Sequence, residues 1–380
     1  MPCQRPQLGK FLEENWKVFD TTLLLPTDMS NTNIDVSHKK VAIVLPIFNT
    51  EQYLPDCLDS ILNQTHKNFI VFAVDDGSTD ASPSILKSYT LQDNRIHPIL
   101  IKNSGVSSAR NAALEAIKNE DFDYISFIDS DDKFYPDFLE SHLTSLLKNN
   151  ADISVGGFEK LYENNTTKHR SFLPQTYLTQ EQFALLVFSL GNFGNTCCSG
   201  GMIWKQVYKA NLLRDIRFDP DRNACEDELF CLQTLSKTTK IVCIPKILYS
   251  YRQRPGGTSL TSNSKFDLYA LKGRDACSDF AKNISRTLEL ICFSAHLTKL
   301  IAIIKDNDTT INLSDFKSFA YLAHKNGFLN NKYYLLFLLF LKYPRLTKVY
   351  RRSRALFYHL HQHKEIFSTK HKHTAIPSKK

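Results

Sequence analysis

A chain of 380 residues can hold one large α/β domain with a helical appendage, or two ordinary domains, and its 42% hydrophobic content excludes a disordered polymer. The net charge of +8 is gathered at one end: from Lys342 to Lys380 there are eleven Lys or Arg and one acid, Glu365, a net +10 that leaves the rest of the chain at −2. A neutral body with a basic tail speaks for a surface partner of that tail and against a nucleic-acid-binding core.

Residues 1–39 are of mixed polarity and read as an N-terminal extension, with one helix expected around Phe11–Phe19. Regular structure begins at Val41. Val41–Leu45 is a continuous apolar run stopped by Pro46, the pattern of a buried strand. Leu54, Leu58, Ile61 and Leu62 recur at helical spacing within Tyr53–Gln64. Phe69–Val74 is a second buried strand that breaks off into Asp75-Asp76-Gly77-Ser78. A helix over Ala81–Tyr89, a strand over Arg95–Ile101, a helix over Ser107–Lys118 and a strand over Tyr124–Ile128 follow. Past residue 151 the alternation loosens. Strands are expected at Ile153–Gly157 and Ile241–Tyr251, a glycine-led strand and turn at Gly200–Leu213, and a helix at Glu226–Leu235. After Thr258–Ser262 the pattern is helical.

Strands alternating with helices at this spacing predict βαβ units and a mostly parallel sheet, and the unbroken apolar strands fit a sheet covered on both faces. In such a sheet the ligand crevice lies beyond the carboxyl ends of the strands. Three strands deliver Pro46–Asn49, Asp75–Gly77 and Asp129–Asp132 to that edge. Asp129-Ser130-Asp131-Asp132 places three carboxylates in four residues, and a hard divalent cation (Mn²⁺ or Mg²⁺) with oxygen ligands would relieve their repulsion. The alternative is a solvated turn in which Asp132 caps the next helix. In Asp75-Asp76-Gly77-Ser78-Thr79-Asp80 a loop carboxylate at a strand end can accept from a base imide or ribose hydroxyls, while Gly77 suits a tight turn and Ser78 or Asp80 a helix cap.

Val41–Asn49, Asp75–Asp80, Asn103–Asn111 and Phe127–Asp132 resemble, in order and spacing, the motifs of family 2 glycosyltransferases of the GT-A fold, and the resemblance runs over roughly residues 40–255. It implies a GT-A-like α/β domain over residues 40–260, followed here by a helical region (261–341) and the basic tail (342–380). It also implies a donor site of Pro46, Asn49, Asp76, Arg110 and Asp129, with Asp131 as metal ligand. Glu226-Asp227 resembles the family's catalytic pair, with Asp227 as general base; read alone, those acids suit any helix N-terminus. Trp204 is expected to stack on the acceptor sugar, with a core position as the alternative. Arg252 or Arg254 is a candidate for the donor diphosphate.

The activity so implied is transfer, with inversion, from a nucleoside-diphosphate sugar (a UDP-sugar by resemblance) to a glycan in a bacterial surface polysaccharide of capsule or lipopolysaccharide type. The alternatives are a sugar nucleotidyltransferase and a non-catalytic glycan-binding subunit. The first calls for a glycine-rich loop after the first strand, where Pro46-Ile47-Phe48-Asn49 stands instead. Nine cysteines without a CxxC pair read as reduced, buried thiols. No leader is evident, and the longest apolar run, Tyr333–Leu341, is far short of the ~20 residues a bilayer requires. The expected location is therefore cytoplasmic, at the inner face of the membrane, with the basic tail touching anionic lipid.

Overall fold

The computed structural model describes residues 34–162, 166–171, 176–188, 202–222, 225–254, 277, 279–306, 317–325, 329 and 331–342. The extension to residue 33, Gly200 and Gly201, and the basic tail beyond Lys342 lie outside them. The chain divides into two compact units, Met1–Ala295 and His296–Lys380.

The larger unit is built on a sheet of β1 (Val41–Ile47), β2 (Phe69–Asp76), β3 (Ile96–Ile101), β4 (Tyr124–Phe127), β5 (Lys133–Phe134), β6 (Ile153–Tyr162), β7 (Thr167–Ser171), β8 (Thr176–Leu178), β9 (Gln206–Lys209) and β10 (Ile241–Gln253). Their spatial order is β3-β2-β1-β4-β9-β6-β10-β5, with β7 on β6 and β8 on β10. The first four neighbours run parallel. Their crossovers are α1 (Leu54–Leu62), α2 (Ser82–Gln92) and α3 (Val106–Ile117). All seven residues of β1 are buried, as a central strand covered on both faces requires.

Several sequence boundaries move. Pro46 does not stop β1, which continues to Ile47. Its pairing with β4 has already ended at Val44, so the missing proline N–H costs no ladder bond on that side. The expected strand at Gly200–Leu213 is the short β9, flanked by 3₁₀ turns at Ile203–Lys205 and Ala210–Leu213. β6 and β10 each run past their expected ends, to Tyr162 and Gln253. Two helices had no expected range: α4 (Phe138–Asn149), the helix that follows Asp132, and α5 (Gln180–Val187), opened by a capping box of Thr179 and Gln182. α6 (Glu226–Leu235) has the expected limits.

The sheet is mixed, and the order of its mixing matters. β9 runs antiparallel to both β4 and β6, and β10 is parallel to β6. Two reversals restore the original direction, so β10 ends on the same edge as β1, β2 and β4. The late strand thereby brings Tyr251, Arg252 and Arg254 to the crevice that the early strands open.

α7 (Arg286–Asp306), α8 (Lys317–Lys325) and α9 (Asn331–Lys342) close the described chain. Within the smaller unit α8 packs on α9, and His324 stacks on Tyr334 at 4.1 Å. Among the described residues no helix is long and apolar enough to cross a membrane.

The turn after β2 is strained in a way only glycine relieves. Gly77 has φ +69°, and a Cβ there would stand 2.8 Å from the Asn103 backbone nitrogen. Gly77→Ala is expected to cost about 1–3 kcal/mol, read from denaturant unfolding. A variant as stable as wild type would show that the turn relaxes without cost.

Candidate active site

The loops that follow β1, β2 and β4 are tied to one another before any ligand is considered. Asn49, at φ +49°, donates its backbone N–H to Ser78 Oγ (3.1 Å) and accepts at Oδ1 from the Thr79 N–H (2.8 Å). The Glu51 N–H donates to Asp80 (2.9 Å), and Glu51 accepts in return from the Ala81 N–H (2.7 Å). Thr50 donates to Ser82 Oγ through its N–H and to Ser130 Oγ through its hydroxyl, each at 3.0 Å. Asn49, expected at the donor, is a fastener of this rim and does not line the cleft.

The cleft encloses about 520 Å³. Of the residues singled out in the sequence, it collects Pro46, Asp76, Arg110, Asp129, Asp131, Trp204, Glu226, Asp227, Arg252 and Arg254, which come from seven separate segments. Asp76 lies at its floor. Its two carboxylate oxygens accept from the backbone N–H groups of Ser104 (2.7 Å) and Gly105 (2.8 Å), which fixes the loop leading into α3. Each oxygen keeps a further lone pair for a ligand.

The acidic triplet after β4 separates into two kinds of carboxylate. Asp132 is fully buried and accepts from Tyr249 Oη and from the Arg252 N–H, both at 2.7 Å. Burial, then Asp131 and Asp129, pushes it well above the usual carboxylate range. It serves the fold, and does not cap α4. Asp129 and Asp131 turn instead to the cleft. Asp131 is itself pushed upward by burial and by Asp129, against the pull of Arg254, whose Nε stands 2.8 Å from its Oδ2. The two candidate diphosphate arginines therefore differ. Arg252 is locked, donating from Nε to the Asp131 carbonyl (2.8 Å) and pairing with Asp56 (3.0 Å). Arg254 is the more exposed, with Asp131 beside it and Tyr53 beneath its guanidinium.

On the opposite wall, α6 starts from Cys225 in the left-handed region (φ +62°). Glu226 and Asp227 occupy its first turn, where the helix dipole favours negative charge. Arg110, only 4% exposed, lies between the walls: it meets Asp129 at 3.1 Å, Asp227 at 2.8 Å and Glu226 at 3.5 Å. Asp227 is pushed up to about 8, chiefly by burial and then by Glu226 and Asp129, with Arg110 opposing. The neighbouring Asn111 pairs through its amide with both backbone groups of Phe218 at 2.8 Å, holding α3 against that segment.

Trp204 does not have the role expected of it. Its indole is 3% exposed, stacked at 4.2 Å on Tyr249 and at 5.2 Å on Tyr251, with Phe158 edge-on at 5.1 Å. It reaches the cleft wall as part of the core, and its ring faces are taken by other aromatics. Two residues that the motifs do not single out shape the site, Phe48 at the cleft and Tyr249 in the core behind it. Phe48, 46% exposed at the rim, presents an aromatic surface to solvent. Tyr249 binds Asp132 and receives the Asp129 N–H (3.3 Å). An aromatic inside an otherwise aliphatic strand end was the available signal for Phe48. Nothing local pointed to Tyr249.

Residues 42–212 match the family described as Glycosyl transferase family 2. Over that segment the chain is similar to glycosyltransferase family 2. Glycosyltransferase GlyA of Streptococcus pneumoniae is 31% identical over 299 residues, which is 77% of this chain and 41% of GlyA. The poly(ribitol-phosphate) beta-glucosyltransferase of Bacillus spizizenii is 28% identical over 230 residues, 58% of this chain and 33% of that one. The chain thus spans less than half the length of either relative. Among solved structures, S. aureus TarS 1-349 in complex with UDP-GlcNAc superposes with a TM-score of 0.62 at 18% identity, covering 82% of this chain and 89% of that one. The fold is the GT-A arrangement of a mixed, mostly parallel sheet flanked by helices.

Proposed function

We propose that the chain is an inverting transferase that moves a sugar from a nucleoside diphosphate onto a hydroxyl of a surface polymer. One observation carries the reading: two unlike carboxylate groups share one cleft. Asp129 and Asp131 stand at the carboxyl edge of the early strands, and Glu226-Asp227 faces them from a helix start. A UDP-sugar donor rests on the family resemblance and on the ligand in the TarS structure. The polymer acceptor rests on the name of the B. spizizenii relative.

In the reaction so read, Asp76 and Asp129 hold the nucleoside and Phe48 offers its face to the base. Asp227 accepts the proton of the acceptor hydroxyl while that oxygen attacks the anomeric carbon. The bond to the diphosphate breaks on the opposite face and its electron pair leaves with the phosphate oxygen, so the centre inverts. Glu226 orients the acceptor. Arg254 is free to turn to the diphosphate once Asp131 has another counter-charge.

A divalent cation fits this donor set. Asp131 is a largely buried carboxylate raised by a neighbouring acid, and it already sits against a cation, the Arg254 guanidinium. Among the described residues no group of three His, Cys, Asp or Glu could hold a metal alone. Asp131 would therefore share the ion with donor phosphates, the way Mg²⁺ is commonly held. Bound there, it would supply charge stabilisation to the departing diphosphate.

Three outcomes are expected. Asp227→Asn keeps the volume and loses the proton acceptor, so UDP binding by calorimetry should survive while turnover falls by about 10²–10⁴. In wild type, kcat/KM should rise with pH and level off near 8, because Asp227 is protonated below that value. Near wild-type turnover in Asp227→Asn would move the base to Glu226 or Glu228.

The second concerns the cation. Asp131→Ala should abolish transfer and weaken UDP binding, and EDTA should do the same until Mn²⁺ or Mg²⁺ is restored. Full activity in EDTA rules the ion out.

The third concerns the +10 tail, where Leu346, Tyr350, Leu356 and Phe357 are mixed with Arg351, Arg352 and Arg354, a composition that supports peripheral contact with anionic lipid. Deleting residues after Lys342 should release the protein from phosphatidylglycerol vesicles, and salt should weaken wild-type binding. Wild-type protein that never sediments with such vesicles at low salt would end the idea.

A further inference from the structure

Arg110 was expected at the nucleotide, and its surroundings assign it other work. Its guanidinium is buried, lies 5.2 Å from the Phe218 ring centroid, and spends its terminal nitrogens on three carboxylates. Nη1 meets Asp227 at 2.8 Å and Glu226 at 3.5 Å, while Nη2 meets Asp129 at 3.1 Å. One planar fork therefore touches the wall that offers the base and the wall that offers the donor carboxylate. The support beneath the fork is rigid: Phe218 stacks on Phe230 of α6 at 4.1 Å and is pinned to α3 by both Asn111 hydrogen bonds. A flexible lysine could neutralise these acids, but could not fix the angle between them.

We propose that Arg110 is the positioning residue of the reaction, a buried clamp that fixes the orientation and charge of Asp227 and registers it against Asp129. The inference rests on the reading of Asp227 as the base. The groups facing Asp227 are Arg110 from α3, Asp129 from the loop after β4, Tyr208 from β9, and Glu226 and Cys231 from its own helix, with the Ile203 N–H donating to it. Burial holds the Tyr208 hydroxyl and the Cys231 thiol protonated. The charges acting on Asp227 are then two carboxylates that resist its ionisation and one guanidinium that favours it. Without Arg110 the base would be a buried acid among acids, protonated to higher pH than in wild type and without a fixed direction.

The clamp has a signature that a merely structural arginine lacks. An opposite charge at this range lowers a carboxylate by about 1–3 pH units. Arg110→Met should therefore carry the acid limb of kcat/KM upward by that much and slow transfer about 10- to 1000-fold at pH 8. Part of the loss should return at pH 10, and part on adding guanidinium chloride at millimolar concentration, with UDP affinity within a few-fold of wild type. Arg110→Lys should keep the limb near wild type and lower kcat by about tenfold, since charge survives and the fork does not. If Arg110→Met does not fold, Arg110→Lys decides: a kcat equal to wild type overturns the clamp, and a lowered kcat with UDP binding kept supports it.

The two readings fail separately. An active Asp227→Asn enzyme removes the base and the inference with it. An inactive Asp227→Asn enzyme together with an Arg110→Met pH profile superimposable on wild type removes the inference alone.

Discussion

The cleft depends on the burial of Asp132. A carboxylate with no exposed surface must find hydrogen-bond donors or stay out of the interior. Asp132 finds Tyr249 Oη and the Arg252 N–H, both from β10, the strand that reaches this edge only after two reversals of direction. Its capture draws the loop after β4 down onto the late half of the sheet. The adjacent Asp131 and nearby Asp129 are left to face the cleft, and Arg254 is carried to Asp131. Asp132 is thus the point where the two halves of the sheet are joined at the site.

The early half of the fold was legible because its determinants are local. Continuous apolar strands, helical spacing in Tyr53–Gln64, and abrupt acidic strand ends specify βαβ units without knowledge of partners. The late half was less so. β9 has only four residues and 3₁₀ turns on either side, so neither period-2 nor period-3.6 patterning has room to show. β10 contains Pro245 and two register irregularities against β6, which blur its pattern in the same way.

The site was legible in its residue types and less so in their division of labour. Asp76, Arg110, Asp129, Asp131, Glu226 and Asp227 were all named, and all line one cleft. Which of three adjacent carboxylates is buried cannot be read from Asp-Ser-Asp-Asp, because it is decided by a tyrosine more than a hundred positions away. Trp204 misled for the opposite reason: its composition suits a sugar platform, and only the stacking of Tyr249 and Tyr251 shows that its faces are covered. Arg110 carried a motif label that placed it at the nucleotide, whereas its three carboxylate contacts come from segments 19, 116 and 117 residues away.

The lacing between residues 49–51 and 78–82 has a consequence for recognition. Loops at a binding edge ordinarily lose backbone freedom when a ligand orders them, a loss of roughly 1–2 kcal/mol per residue fixed. Here side-chain bonds from Asn49, Thr50 and Glu51 order the rim during folding, independently of any donor. A ligand docking on that rim meets a preorganised surface, and its contacts appear in affinity with little deduction for ordering. Selectivity there would come from rigidity: a ligand of the wrong outline meets a rim whose side-chain bonds must break before it yields.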